Sequence, residues 1–208
     1  MRELDESLLV RLAVDGDSDA LGELLQQHRE RLLRLVTLRM NRRVQSRVDA
    51  GDVVQETFIE ATRRRSELTA PMNVSLFVWL RYLAMQKLCE THRRHLGVKA
   101  RDAAMEVSLC EAPAPHITSA VLAAQLLGKL TSPSKAVQQA EVRFRLEQTL
   151  NAMNPIDREI IALRHFEQLS NMEAAQVLGI KDSAASTRYV RAVQRLKKAL
   201  ETDAGGVQ

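Results

Sequence analysis

Apolar residues in the first half of the chain recur at helical spacing. Leu21, Leu24, Leu25, His28, Leu32 and Leu35 fall at i, i+3, i+4, i+7, i+11 and i+14, which draws a single buried stripe. Ahead of it, Asp15-Gly16-Asp17-Ser18 closes one helix and opens the next, glycine for the stop and Asp or Ser for the cap. Another helix opens at Asp49, a good N-cap, with Asp52 in the first turn, where the helix dipole favours a carboxylate. The run SELTAPMN, with Pro71, breaks the pattern, and helical periodicity resumes over residues 75–95.

From about residue 97 to 136 the periodicity dissolves among Pro113, Pro115, Pro133 and small polar residues, although Val121–Leu130 has the makings of a short helix. The stretch reads as a linker between two domains. Helices then return to the end of the chain. With no run of β-branched alternation in either half, the fold class is all-α: two small helical domains, 1–97 and 137–202, joined by a linker over 98–136 and followed by a tail at 203–208.

Composition agrees. Aromatics make up only 3% of the chain and the apolar set is mostly Leu, Ala, Val and Met, which lose little rotamer freedom in a helix. The net charge of +4 is mild, so the placement of the cations matters more than their number. Cys89 and Cys110 form no CxxC and have no paired spacing, and Cys89-x-x-His92 lacks a second ligand pair; neither a disulfide nor a zinc site is expected. No apolar run reaches signal-peptide or membrane-span length, so a cytoplasmic location without membrane contact is expected. His28, His92, His95, His116 and His165 are scattered away from any nucleophile or metal spacing, and no phosphate-binding glycine loop occurs. The expectation is a protein without enzymatic activity or cofactor.

The C-terminal half carries the sharpest local signal. Asn154-Pro155 opens a helix with a cap and a proline at the first position, where a missing N–H costs nothing. Ser170-Asn171-Met172-Glu173 is a capping box, and the short helix it starts stops at Gly179. Ala175 leaves room for a close crossing, Ile180 plugs the corner, and Asp182 or Ser183 caps the last helix. That set of coupled requirements predicts a helix-turn-helix. On the last helix Arg188, Arg191, Arg195 and Lys198 line one face, while Ala185, Tyr189, Ala192, Val193 and Leu196 point inward. A solvated basic face is the plain alternative, but no acidic residue interrupts the helix between Asp182 and Glu201. The expected DNA contacts are Lys181, Ser183, Ser186, Thr187, Arg188, Arg191 and Arg195, with the helix N-terminus in the major groove.

The helix DAGDVVQETFIEATRRR has two faces: Val54, Phe58 and Ala61 on the core side, and Asp52, Gln55, Glu56, Ile59 and Arg63 on a polar stripe with one apolar residue. DVVQETFIEATRR resembles the core-polymerase-binding helix of bacterial RNA polymerase sigma factors of the extracytoplasmic-function (ECF) group. SLFVWLRYLAMQKLCETHRRH is similar to their promoter-melting and minus-ten-recognition helix, and the stretch from Glu159 to Leu200 to their minus-thirty-five-binding domain. The resemblance covers about three-quarters of the chain in the family's order; three ordered motifs are far more specific than one.

The resemblance implies that Asp52, Gln55, Glu56, Ile59 and Arg63 dock on core RNA polymerase, which would be met through its β′ and β subunits. It implies that Arg81, Gln86, Lys87, Glu90, Arg93 and Arg94 meet the minus-ten element of promoter DNA, and that SELTAPMN captures a flipped base. Phe77, Trp79 and Leu80 match the family's F-x-x-W-L; for Trp79 packing is favoured over base stacking by its apolar context. Members of the group are often held by an anti-sigma partner. The chain departs from the family where Gln86 replaces the usual asparagine, Glu90 the usual aspartate, and Ala174 and Ala185 the usual larger residues. A stand-alone dimeric helix-turn-helix regulator is the alternative reading, and a helical scaffold protein without DNA contact a third.

Overall fold

The computed structural model describes residues 6–68, 74–96, 117–130 and 136–201, and it divides into two compact units, 1–115 and 116–208. Among the described residues the only regular elements are helices, as the periodicity predicts.

The first unit is built from α1 (Glu6–Val14), α2 (Ser18–Arg39), a one-turn α3 (Arg42–Gln45), α4 (Ala50–Arg63), a 3-10 turn (Arg65–Glu67) and α5 (Leu76–Leu96). Asp17 caps α2, accepting from the backbone N–H groups of Asp19 and Ala20. Gly16, just before it, sits at φ 105°, a conformation that a side chain would strain. Asp49 caps α4 through the Gly51 N–H. All six residues of the α2 stripe are buried, and they pack with Val53, Val54 and Ala61 of α4 and Phe77, Leu80, Leu83 and Leu88 of α5. Burying each such leucine contributes roughly 1.5–3 kcal/mol, so this one core positions both α4 and α5.

One expectation about α4 needs correcting. Phe58 is only half-buried, and the buried place belongs to Thr57. Val54, Thr57 and Ala61 follow i, i+3, i+7, which puts position 58 on the edge of the stripe. Thr57 is tolerated there because its hydroxyl donates to the Val53 carbonyl at 2.7 Å.

The second unit comprises α6 (Ser119–Leu130), α7 (Ala136–Asn151), α8 (Pro155–Ile161, continuing through a π turn at Ala162–Phe166), α9 (Asn171–Leu178) and α10 (Asp182–Glu201). The unit therefore starts earlier than the expected boundary at 137. Residues 119–130, expected within the linker, form α6 and pack on α7, burying Leu122, Ala123 and Leu127. The short helix legible at Val121–Leu130 is thus present, but the proline-bearing flanks assigned it to the linker, whereas its apolar face packs into the second unit.

The helix-turn-helix is present as α9 and α10. Ser170 Oγ accepts from the Glu173 N–H at 3.1 Å, and Glu173 Oε2 accepts from the Ser170 N–H at 2.7 Å. Gly179 ends α9 in the left-handed conformation at φ 62°, and the Ile180 N–H donates to the Ala175 carbonyl. Ile160 of α8, Ala175 and Ala185 form the small core, with Leu178, Ile180 and Tyr189 against it. Asp182 or Ser183 was expected to cap α10, but both lie inside it as its first two residues, and the Asp182 carboxylate accepts from Asn171 Nδ2 at 2.6 Å, tying the two helices together.

Candidate polymerase and nucleic-acid interfaces

The polar stripe of α4 stands outward. Asp52, Gln55 and Arg63 are exposed, and Ile59, at 54% exposure, is a large aliphatic side chain left in water by a helix with ample core on its other face. An apolar residue ringed by charges suits a partner helix. Glu56 is half-buried, and its carboxylate lies 3.6 Å from Arg94 of α5.

That contact opens a ladder of ion pairs between α4 and α5. Arg94 also reaches Glu90 at 3.6 Å, and Lys87 lies 3.3 Å from both Glu90 and Glu60. Partial burial works against the Lys87 charge, yet hydrogen bonds to Glu90 and Glu60 outweigh it and hold the ammonium above the ordinary lysine range. Two of the cations expected on minus-ten DNA are thus matched to carboxylates within the unit, while Arg93 is exposed.

Arg81 departs from expectation. At 2% exposure it lies in the body of the unit, and as folded here it has no surface to offer a nucleic acid. The apolar stripe of α5 is wide, with Leu76, Phe77, Leu80, Leu83, Ala84 and Met85 all buried, and position 81 falls within it. Trp79 is buried too, in keeping with packing, and its Nε1–H donates to Glu67 Oε2 at 3.2 Å.

Glu67 belongs to a second network that the local pattern did not announce. Arg64 grips it by two hydrogen bonds, Nε to Oε1 at 2.7 Å and Nη2 to Oε2 at 2.8 Å. The pairing raises the Arg64 pKa, and Arg64, with help from the Trp79 donor, holds the Glu67 carboxyl below its usual range. Arg64 Nη1 donates to Gln86 Oε1 at 3.1 Å, and Gln86 Nε2 donates to the Tyr82 hydroxyl at 2.8 Å. The Arg64 guanidinium stands 5.9 Å from the centre of the Tyr82 ring, and Tyr82 is 48% exposed. Of the SELTAPMN segment, residues 69–73 lie outside the described residues.

In the second unit Lys181, Ser183, Ser186, Thr187, Arg191 and Arg195 are exposed along α10, so the expected face exists. The inward stripe holds for Ala185, Ala192 and Leu196, all buried, and for Tyr189, half-buried; Val193 instead is 40% exposed. Arg188 is half-buried and engaged: its Nη1 donates to Asp157 Oδ1 at 2.8 Å, while Arg195 Nη1 lies 3.6 Å from Asp157 Oδ2. Asp157, buried in the first turn of α8, therefore gathers two cations one heptad apart on the last helix. Its spacing from them, 31 residues to Arg188, explains why no periodicity pointed to it.

Among the described residues no group of His, Cys, Asp and Glu is arranged to hold a metal ion, and no helix is long and apolar enough to cross a membrane.

Residues 143–196 match the family profile "Sigma-70, region 4". The chain is 29% identical over 204 residues to the RNA polymerase sigma factor NccH of Alcaligenes xylosoxydans xylosoxydans, spanning 96% of both chains. It is also 29% identical over 196 residues to the ECF RNA polymerase sigma factor BldN of Streptomyces coelicolor, covering 94% of this chain and 66% of that protein. CnrH, solved in complex with the cytosolic domain of CnrY, shares the fold with a TM-score of 0.53 at 22% identity, over 95% of this chain and 98% of CnrH. Matches that run through both units, joined to a helix-turn-helix in the right place, agree: residues 143–196 carry the Sigma-70 region 4 pattern, and along nearly its whole length the chain is similar to RNA polymerase sigma factors, one of them of the extracytoplasmic-function group.

Proposed function

We propose that the chain acts in the cytoplasm as a non-catalytic specificity subunit. It binds core RNA polymerase, places two units on the minus-ten and minus-thirty-five elements of a promoter, and assists opening of the duplex. Asp52, Gln55, Glu56, Ile59 and Arg63 form the docking stripe, met by the β′ subunit, with β completing the assembly. Gln86, Lys87, Glu90, Arg93 and Arg94 serve the minus-ten DNA; Arg81 is left out of that set because it is buried. Lys181, Ser183, Ser186, Thr187, Arg188, Arg191 and Arg195 serve the minus-thirty-five DNA, with Ser183, Ser186, Thr187 and Arg188 near base edges and the adjacent phosphates, and Arg191 and Arg195 on phosphates further along. Tethering lets two individually weak contacts act together, since the linker gives the second a high effective concentration.

The observation that carries this reading is the coexistence in one chain of an outward stripe on α4 centred on Ile59 and a capped helix-turn-helix ending in a basic helix. By analogy with CnrH and its complex, a protein inhibitor of the anti-sigma kind is a further expected partner. The test is co-purification with core polymerase. Gln55→Ala with Glu56→Arg should abolish association and leave helicity unchanged, because both side chains lie outside the core and the Glu56–Arg94 pair contributes at most about 1 kcal/mol. Normal co-purification of that variant removes α4 as the docking element.

A further inference from the structure

Gln86 is held at both ends of its carboxamide, and the chemistry of one partner dictates which way round it sits. A guanidinium carries donors only, so the atom facing Arg64 Nη1 at 3.1 Å must be the amide oxygen. Nε2 then points to the Tyr82 hydroxyl at 2.8 Å, which accepts from it. Arg64 cannot swing away freely, because Glu67 grips it through two hydrogen bonds and Trp79 anchors Glu67 in turn. Beyond these two hydrogen bonds Gln86 keeps one N–H and one oxygen lone pair, their order along the carboxamide fixed, next to a half-exposed aromatic ring.

From this geometry we propose that Arg64 is a specificity-positioning residue: it fixes the polarity of the Gln86 carboxamide and thereby makes one promoter position discriminate amino bases from keto bases. The inference rests on the reading that α5 lies on minus-ten DNA. Adenine and cytosine present an exocyclic donor beside a ring acceptor, whereas guanine and thymine present an exocyclic acceptor beside a ring donor. A carboxamide free to rotate by half a turn satisfies either class. One locked by a cation meets the wrong class donor to donor and acceptor to acceptor. The expected discrimination is about tenfold, the lower part of the range for a bidentate contact. Arg64 itself needs no contact with DNA.

The experiment uses holoenzyme reconstituted from the full chain and core polymerase, on a pool of templates randomised through the minus-ten region. Heparin-resistant open complexes are recovered and their DNA sequenced. With the unaltered chain, one position should show an amino-against-keto preference of about tenfold, and Gln86→Ala should erase it at that position alone. Arg64→Met should reduce the same preference to within about twofold while other positions keep theirs; a general loss of packing would lower yield without changing the base ranking. Tyr82→Phe removes only the acceptor at Nε2 and should retain the preference. The charge exchange Arg64→Glu with Glu67→Arg sets a carboxylate against the amide, turns Nε2 toward it, and should reverse the preference. This variant restores the 64–67 pair and so decides the matter should Arg64→Met fold poorly. Retention of the preference in Arg64→Met, or its absence of reversal in the exchange, overturns the role of Arg64 while leaving α5 on the DNA. If Gln86→Ala changes no position, the placement of Gln86 on the minus-ten element is what fails.

Discussion

Arg188 has two demands on one side chain, and they can be separated by measurement. Its guanidinium donates to Asp157 at 2.8 Å within the unit, and it is also the residue expected to reach a base edge. A hydrogen bond between charged groups contributes roughly 1.5–3 kcal/mol when shielded. Here the Arg188 side chain is 37% exposed against 11% for Asp157, so solvent screening reduces the contact to about 1 kcal/mol. Removing Arg188 does not leave Asp157 bare, because Arg195 stands at 3.6 Å and takes part of the load. The perturbation is therefore a double-mutant cycle of Asp157→Asn and Arg188→Met in the free chain, read by native-state hydrogen exchange of the α8 and α10 amides. A coupling of about 1 kcal/mol is expected. On a promoter fragment with holoenzyme, Arg188→Met should lose roughly 1–3 kcal/mol of upstream contact, beyond any change in exchange. A coupling under about 0.3 kcal/mol, within ordinary non-additivity, would refute the claim that Asp157 holds Arg188 in solution.

Other expectations follow from single sites. Gln168, at φ 58° between the π turn and α9, occupies backbone suited to glycine; Gln168→Gly should stabilise the second unit by about 1 kcal/mol in thermal or urea unfolding, and a loss of stability would show that its side-chain contacts outweigh the strain. His92 is buried and accepts from the Asn41 N–H at 3.2 Å, and burial lowers its pKa below the ordinary 6.5. The unfolded chain then binds a proton that the folded one refuses, so the contribution is whole above pH 6.5 and is lost as pH falls, at no more than about 1.4 kcal/mol per pH unit. Unfolding of the chain followed from pH 7.5 to about 5 should show this slope, and His92→Gln should flatten it; an equal slope in both chains assigns the effect elsewhere. Ser170→Ala removes half of the capping box and should cost about 1 kcal/mol, seen as faster exchange confined to the first turn of α9.

The elements whose signal is local were legible along the chain. Leu21 through Leu35 read as one stripe and are one stripe; Ser170 with Glu173 reads as a capping box and forms both of its hydrogen bonds. Gly179 has the left-handed conformation that its position before Ile180 demands. The α4 stripe was visible as well, since Ile59 among charges stands out at helical spacing. Arg81 was set on the DNA by the resemblance of its helix alone; its place in a broad apolar face buries it, which only packing decides. A short helix at Val121–Leu130 was legible and is present as Ser119–Leu130, but its place in the second unit rather than in a linker was not, because that depends on its packing against α7.

The sequence by itself determined that the chain is helical, where most of its caps and stops lie, the buried stripe of α2 and the basic face of the last helix, and which family motifs stand in which order. Those properties depend on residues within three or four positions of one another, a range that helical geometry makes readable. Tertiary structure alone decided which polar side chains meet from one helix to another. Arg64 with Gln86, Glu60 with Lys87, and Asp157 with Arg188 and Arg195 join side chains 22 to 38 residues apart (64 to 86, and 157 to 195). Long flexible side chains leave no periodic trace of their partners, so the orientation of these groups becomes fixed only when the helices that carry them pack.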